Sequence, residues 1–174
     1  MLLFIQIILS KSNFYYSYGI DFFTSMSLFY LAIIPPDLKS LALPAFKRLF
    51  QIHVCIVYFF AGFDKLIGIN WWNGESIWKA INLPFATSIY DITFLGNYPI
   101  LLTILGLGTA ILELYPLFVW NRKTSNFWIY SVILMHIGIA FILNLYFFSA
   151  IMIIWNLTLK FSFNNERSYN LANA

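Results

Sequence analysis

A chain of 174 residues with only 10% charged side chains cannot clothe a water-facing surface, because soluble domains carry roughly 25%. Its net charge of +3 comes from ten basic residues set in short gaps between apolar runs, which leaves no basic patch for nucleic acid. The single cysteine, Cys55, excludes an internal disulfide framework and reads as a small buried packing residue.

Met1 opens directly onto Leu2-Leu3-Phe4-Ile5-Gln6-Ile7-Ile8-Leu9, with neither a charged leader nor a cleavage site, so it does not read as a signal peptide. The stretch is also shorter than the roughly 20 residues a membrane span needs, and it reads as the truncated end of a longer helix. After Ser10-Lys11-Ser12-Asn13, the run Phe14-Tyr15-Tyr16-Ser17-Tyr18-Gly19 has the character of an interfacial aromatic belt. The first full helix is expected over 20–34, stopped by Pro35-Pro36, and the loop after it carries Asp37, Lys39, Lys47 and Arg48.

A second apolar run, 46–69, leads into the tryptophan-rich exit Asn70-Trp71-Trp72-Asn73-Gly74-Glu75. Ile77-Trp78-Lys79-Ala80-Ile81, broken at Pro84, is expected to lie along a membrane surface. A helix over 97–120 contains Gly106 and Gly108, and a short basic loop follows at 121–125. Two last helices, 126–143 and 146–161, are joined by a tight turn near Asn144. The expected fold is therefore all-α: a polytopic transmembrane bundle of about five full helices plus a truncated N-terminal remnant. It forms one domain over 1–162, with a polar, disordered cytoplasmic tail over 163–174.

Basic residues gather on the cytoplasmic side of a membrane. Placing the 36–48 loop there puts the 121–125 loop and the C-terminus on the same side, by alternation. Seven basic residues then fall inside (Lys39, Lys47, Arg48, Arg122, Lys123, Lys160 and Arg167) and three outside (Lys11, Lys65 and Lys79). The expected location is the plasma (inner) membrane, with the Asp64–Glu75 segment extracytoplasmic.

Ionisable residues inside spans are costly and are candidates for function. His53, Asp64, Lys65, Glu113 and His136 qualify. At about 1.5 Å per helical residue, His53 and Glu113 lie about 10 Å, and His136 about 15 Å, from the cytoplasmic ends of their helices, so the three can share one layer. That cluster reads as a structural polar network in which Glu113 pairs with a histidine, as a proton relay, or as a metal site. A metal is the least favoured of these, because the close spacing of a ligand motif is absent. Asp64 and Lys65 form a separate outer pair. Lys65 either reaches for lipid headgroups or acts as a base, since an apolar niche disfavours its charged form. Asp64 beside it works against the base role.

At these residues the chain resembles a known family. Tyr58-Phe59-Phe60-Ala61-Gly62-Phe63-Asp64-Lys65-Leu66, followed by Trp71 and Gly74, is similar to the HTTM membrane domain, the module shared with vitamin K-dependent gamma-carboxylase. The similarity reaches back to Tyr18-Gly19-x-Asp21 and on through Glu113 and His136, covering about 14–161. The resemblance implies that Lys65 is the base facing a quinol on the lumenal side, which is topologically the outer side reached from charge, with Glu113 and His136 as further site residues. The chain departs from the carboxylase at Asp64, where that enzyme has a second basic residue, and in a one-residue-longer spacing from Lys65 to Trp71. It also lacks the large lumenal domain. Some bacterial relatives of this domain resemble SdpB-type membrane proteins found with antimicrobial-peptide systems.

Two functions follow as expectations. One is an enzyme acting on a quinol or a peptide at the outer face through Lys65. The other is a non-catalytic membrane partner for export, maturation or immunity of a small secreted peptide. A transporter fits less well, because only the turn near Asn144 suggests a broken helix. No cofactor is named by the residues, and whether the chain is an enzyme stays open.

Overall fold

The computed structural model describes residues 2–12, 19–34, 42–84, 86–87, 91–121 and 123–172. The tyrosines at 15–18, Pro35-Pro36, Asp37, Lys39 and Arg122 lie outside the described residues. The chain is all-α. Its helices are α1 (Leu2–Ser12), α2 (Ile20–Ile33), α3 (Leu43–Ile67), α4 (Ile69–Trp72), α5 (Glu75–Ile81), α6 (Pro99–Glu113), α7 (Ser125–Leu143) and α8 (Tyr146–Ala172). Among the described residues, three segments are long and apolar enough to cross a membrane: α3, α7 and residues Tyr146–Phe163 of α8. The other two expected spans are shorter, with 14 residues in α2 and 15 in α6, or only about 21–23 Å of helix.

α6 was expected to run to residue 120, but it stops at Glu113. The cause is Pro116, which has no N–H to donate and disfavours helix in the residue before it. The chain instead makes a 3-10 turn at Tyr115–Leu117. α8 errs the other way. Its backbone stays helical to Ala172, where a disordered tail was expected from 163, because no glycine or proline interrupts it.

α3 is the central element. Phe50, Val54, Cys55, Tyr58 and Gly62 are buried at helical spacing, so one stripe of α3 faces the core. Met152, Trp155, Leu159 and Phe163 on α8 and Ile129 and Val132 on α7 complete that core, with Tyr30 from α2. The aromatic rings meet edge-on, Trp155 against Tyr30, Phe50 and Phe23. α7 and α8 form a hairpin whose turn residue, Asn144, takes the left-handed conformation at φ 55°. The Asn144 side-chain amide also donates to the Ala86 carbonyl at 3.0 Å, which ties the hairpin to the segment after α5. Outward faces are apolar, including Phe147 (80% exposed) and Leu134 (68%).

α6 runs antiparallel to α3 and continues past its end, over α4 and α5. Glycines set the spacing. A Cβ on Gly62 would meet the Ala110 carbonyl oxygen and the Glu113 and Leu114 backbone at 3.0 Å. One on Gly106 would meet the Trp71 carbonyl oxygen at 2.7 Å, and Gly74, at φ 79°, would strike Leu102 and Thr103 at 2.8 Å. Because backbone stands in the way at Gly62, Gly62→Ala is expected to loosen the α3–α6 contact at a cost of about 1–3 kcal/mol. Gly108→Ala, with nothing within 4 Å of its new methyl group, serves as the neutral control. Unfolding in mixed detergent would check this, and equal stability of the two variants would refute the close-contact reading.

Candidate functional site

The five ionisable residues sort differently from the depth estimate. Glu113 does not pair with a histidine. Its Oε2 lies 2.5 Å from Lys65 Nζ, in an ion pair between α3 and α6. The helical rise used to place Glu113 fails over Leu114–Trp120, where the chain turns instead of spiralling, so the carboxylate sits farther along α3 than expected. Asp64 is exposed and is not the partner of Lys65.

The local reasons for this pair are electrostatic. A helix C-terminus carries a partial negative charge. Lys65, in the last turn of α3, is favoured by it, and Glu113, the last residue of α6, is opposed by it. Glu113 is also buried, so its carboxylate requires a cation. Lys65 supplies one, and it also donates to the Ala61 carbonyl at 3.4 Å and lies 5.1 Å from the centre of the Trp71 ring. The lysine side chain is only 18% exposed. It points into the helix interface and does not reach out toward headgroups.

About two helical turns back along α3 from Lys65, at Tyr58, His136 enters a separate network. Its Nε2 is 2.7 Å from the Tyr58 hydroxyl. Asn156 donates one amide proton to that hydroxyl at 2.7 Å and the other to the Met152 carbonyl at 2.8 Å, while its oxygen accepts from Tyr115 at 3.0 Å. With both amide protons of Asn156 so used, the assignment leaving the fewest unpaired groups has Tyr58 donating to Nε2. The imidazole is then neutral and protonated on Nδ1, a buried nitrogen without a partner among the described residues. This chain of bonds ties α3, α7, α8 and Tyr115 together.

His53 stands apart from both groups. Its Nδ1 is 2.7 Å from the Tyr30 hydroxyl, and its ring packs on Trp155. The expected layer of His53, Glu113 and His136 therefore does not form, and among the described residues no three His, Cys, Asp or Glu side chains converge as a metal site. Sequence reasoning passed over Tyr58, Tyr115, Asn156 and Gln51 as polar partners. Gln51 and Asn156 were visible as amides on apolar stripes, at positions where an unpaired amide is costly. Outside the spans, Lys79 hydrogen-bonds Glu75 at 2.7 Å and holds that carboxyl below the usual carboxylate range.

No protein-family model matches the chain, and no curated protein or solved structure matches it.

The ion pair makes a direct prediction. Lys65→Met alone leaves the Glu113 carboxylate buried without a cation and is expected to cost about 3–5 kcal/mol, whereas Lys65→Met with Glu113→Leu recovers most of the loss. Thermal unfolding of wild type, Lys65→Met, Glu113→Leu and the double variant in one detergent decides the matter. Independent, additive losses would mean that the two residues do not act as a pair.

Proposed function

We propose that the chain is a polytopic integral membrane protein of the HTTM type, in which Lys65 and Glu113 form a proton-accepting pair for a quinol at the extracytoplasmic end of α3. The observation that carries this reading is the orientation of Lys65, which faces α6 and a carboxylate inside the bundle. Support for membrane residence comes from three helices of spanning length and from the apolar outward faces. The pair lies near the end of α3 that leads into Trp71 and Trp72, residues of the kind that anchor at a membrane–water interface.

The proton account is simple. At rest the amine and the carboxylate share one acid proton, and the pair is neutral overall. A quinol hydroxyl placed against Lys65 gives its proton to the pair and becomes the quinolate anion. The pair then carries one positive charge beside that anion, so no net charge appears in the apolar interior. Glu113 acts here as the counter-charge: it takes the shared proton from Lys65, and the freed Lys65 amine accepts the proton of the quinol.

Reconstituted wild-type protein is therefore expected to accelerate oxygen-dependent oxidation of a naphthohydroquinone above the vesicle background, because such quinols oxidise through their anions. Lys65→Ala and Lys65→Arg should both abolish the acceleration, since arginine keeps the charge but does not give up its proton. Full activity of Lys65→Arg would remove the base role, and no activity in the wild type would remove the quinol reading.

One observation favours a second reading, a non-catalytic partner of a secreted peptide. Lys65 already has three contacts, with Glu113, Ala61 and Trp71, which suit a clamp between helices. Under that reading the double variant Lys65→Met/Glu113→Leu keeps function.

Membrane orientation is a separate test. In a Cys55→Ala background, a cysteine at Asn73 is expected to react with an impermeant maleimide on intact cells, and one at Asn121 only after permeabilisation. The reverse labelling pattern would invert the topology.

A further inference from the structure

A cavity of about 580 Å³ opens between α2, α3 and α8, at the end of α3 away from Lys65. Its volume lies in the roughly 300–1,000 Å³ range of small-molecule sites. Leu31, Ile34, Phe46, Phe50, Trp155 and Phe161 form apolar walls. The polar groups in those walls are already engaged. Ser27 donates to the Phe23 carbonyl and accepts from the Trp155 indole, Thr158 donates to the Ile154 carbonyl, Ser162 accepts from Gln51, and Tyr30 bonds His53. A ligand that needs many hydrogen bonds finds few here.

Lys47 is different. It lines the cavity, and no ion pair is formed by it among the described residues. The neighbouring cations are taken, Arg48 by Gln51 and the Trp120 ring and Lys160 by the Tyr130 hydroxyl. Among the described residues, no acidic side chain lines the cavity. A long apolar space with one cation and no anion is complementary to a molecule with a hydrocarbon chain and one negative end. Apolar space of this size left open would also forfeit packing contacts.

We propose that this cavity holds an acyl chain of an anionic phospholipid, with the lipid phosphate against Lys47. The inference rests on the membrane reading above. It is independent of the quinol chemistry, because Phe50 and Lys65 are about 22 Å apart along α3.

Trp155 is an internal reporter, because it lines the cavity yet is only 3% exposed, and bromine in surrounding lipid reaches it poorly. The full chain is reconstituted in vesicles of phosphatidylcholine carrying a minor share of either brominated phosphatidylglycerol or brominated phosphatidylcholine. The Trp155 signal is the difference between wild type and Trp155→Phe. Half-quenching of that signal is expected at a roughly fivefold lower share of the brominated anionic lipid. Lys47→Gln should remove this preference, Lys47→Arg should keep it, and Lys79→Gln should leave it unchanged. Equal quenching of wild-type Trp155 by both lipids, or none by either, overturns the proposal. If the other tryptophans are quenched normally in that case, the membrane reading stands without the lipid site. If no tryptophan is quenched by either lipid, the membrane reading falls as well.

Discussion

The contact between Lys65 and Glu113 fixes how α6 lies on α3. Glu113 is a buried carboxylate at the negative end of its own helix, an arrangement that is unstable alone. It persists because a lysine on the last turn of another helix reaches it, and because Gly62, one turn earlier, lets the two backbones come close enough. From that fixed point the chain descends along α3 through the 3-10 turn at Tyr115–Leu117, without α-helix. Tyr115 lands on Tyr58 with ring centres 5.0 Å apart, and the Trp120 ring comes to rest 4.4 Å from the Arg48 guanidinium.

Several polar groups of the interior are matched by a partner on another helix, while the buried Ser149 hydroxyl has none among the described residues. Gln51 on α3 bonds Ser162 on α8, Tyr58 bonds His136 on α7 and Asn156 on α8, and Trp155 on α8 bonds Ser27 on α2. Such bonds fix register between helices whose faces are otherwise uniformly apolar, where packing alone discriminates weakly among alternatives. His136 is held in this way through the Tyr58 hydroxyl, and its ring lies edge-on to Tyr58 and Phe148.

How much of this was legible follows from particular residues. Helix identity came from hydrophobic runs and from Gly and Pro punctuation, and α2, α3 and α7 begin and end within a few residues of expectation. The end of α6 was misplaced because Pro116 was read through, and that single error put Glu113 in the wrong layer. A ruler of constant rise holds only while the backbone stays helical. Pairing between helices was not legible, because depth along one helix says nothing about which face turns toward which neighbour. Lys65 and Glu113 are 48 positions apart, and their contact depends on Gly62, whose effect is felt only once α6 lies against it.

The geometry also separates two ends of the molecule that hydropathy treats alike. A molecule held at Lys47 cannot reach Lys65, since most of the length of α3 lies between them. At the other end, the Trp71 ring already covers the Lys65 ammonium. A base must exchange that cover for substrate, while a clamp must keep it. Trp71 is held for either role by its own helix, since Gly106 accepts the close approach of its carbonyl and a larger residue there would push α4 away from α6. Gly106 thus bears on the surroundings of Lys65, by setting where the Trp71 ring beside the ammonium stands.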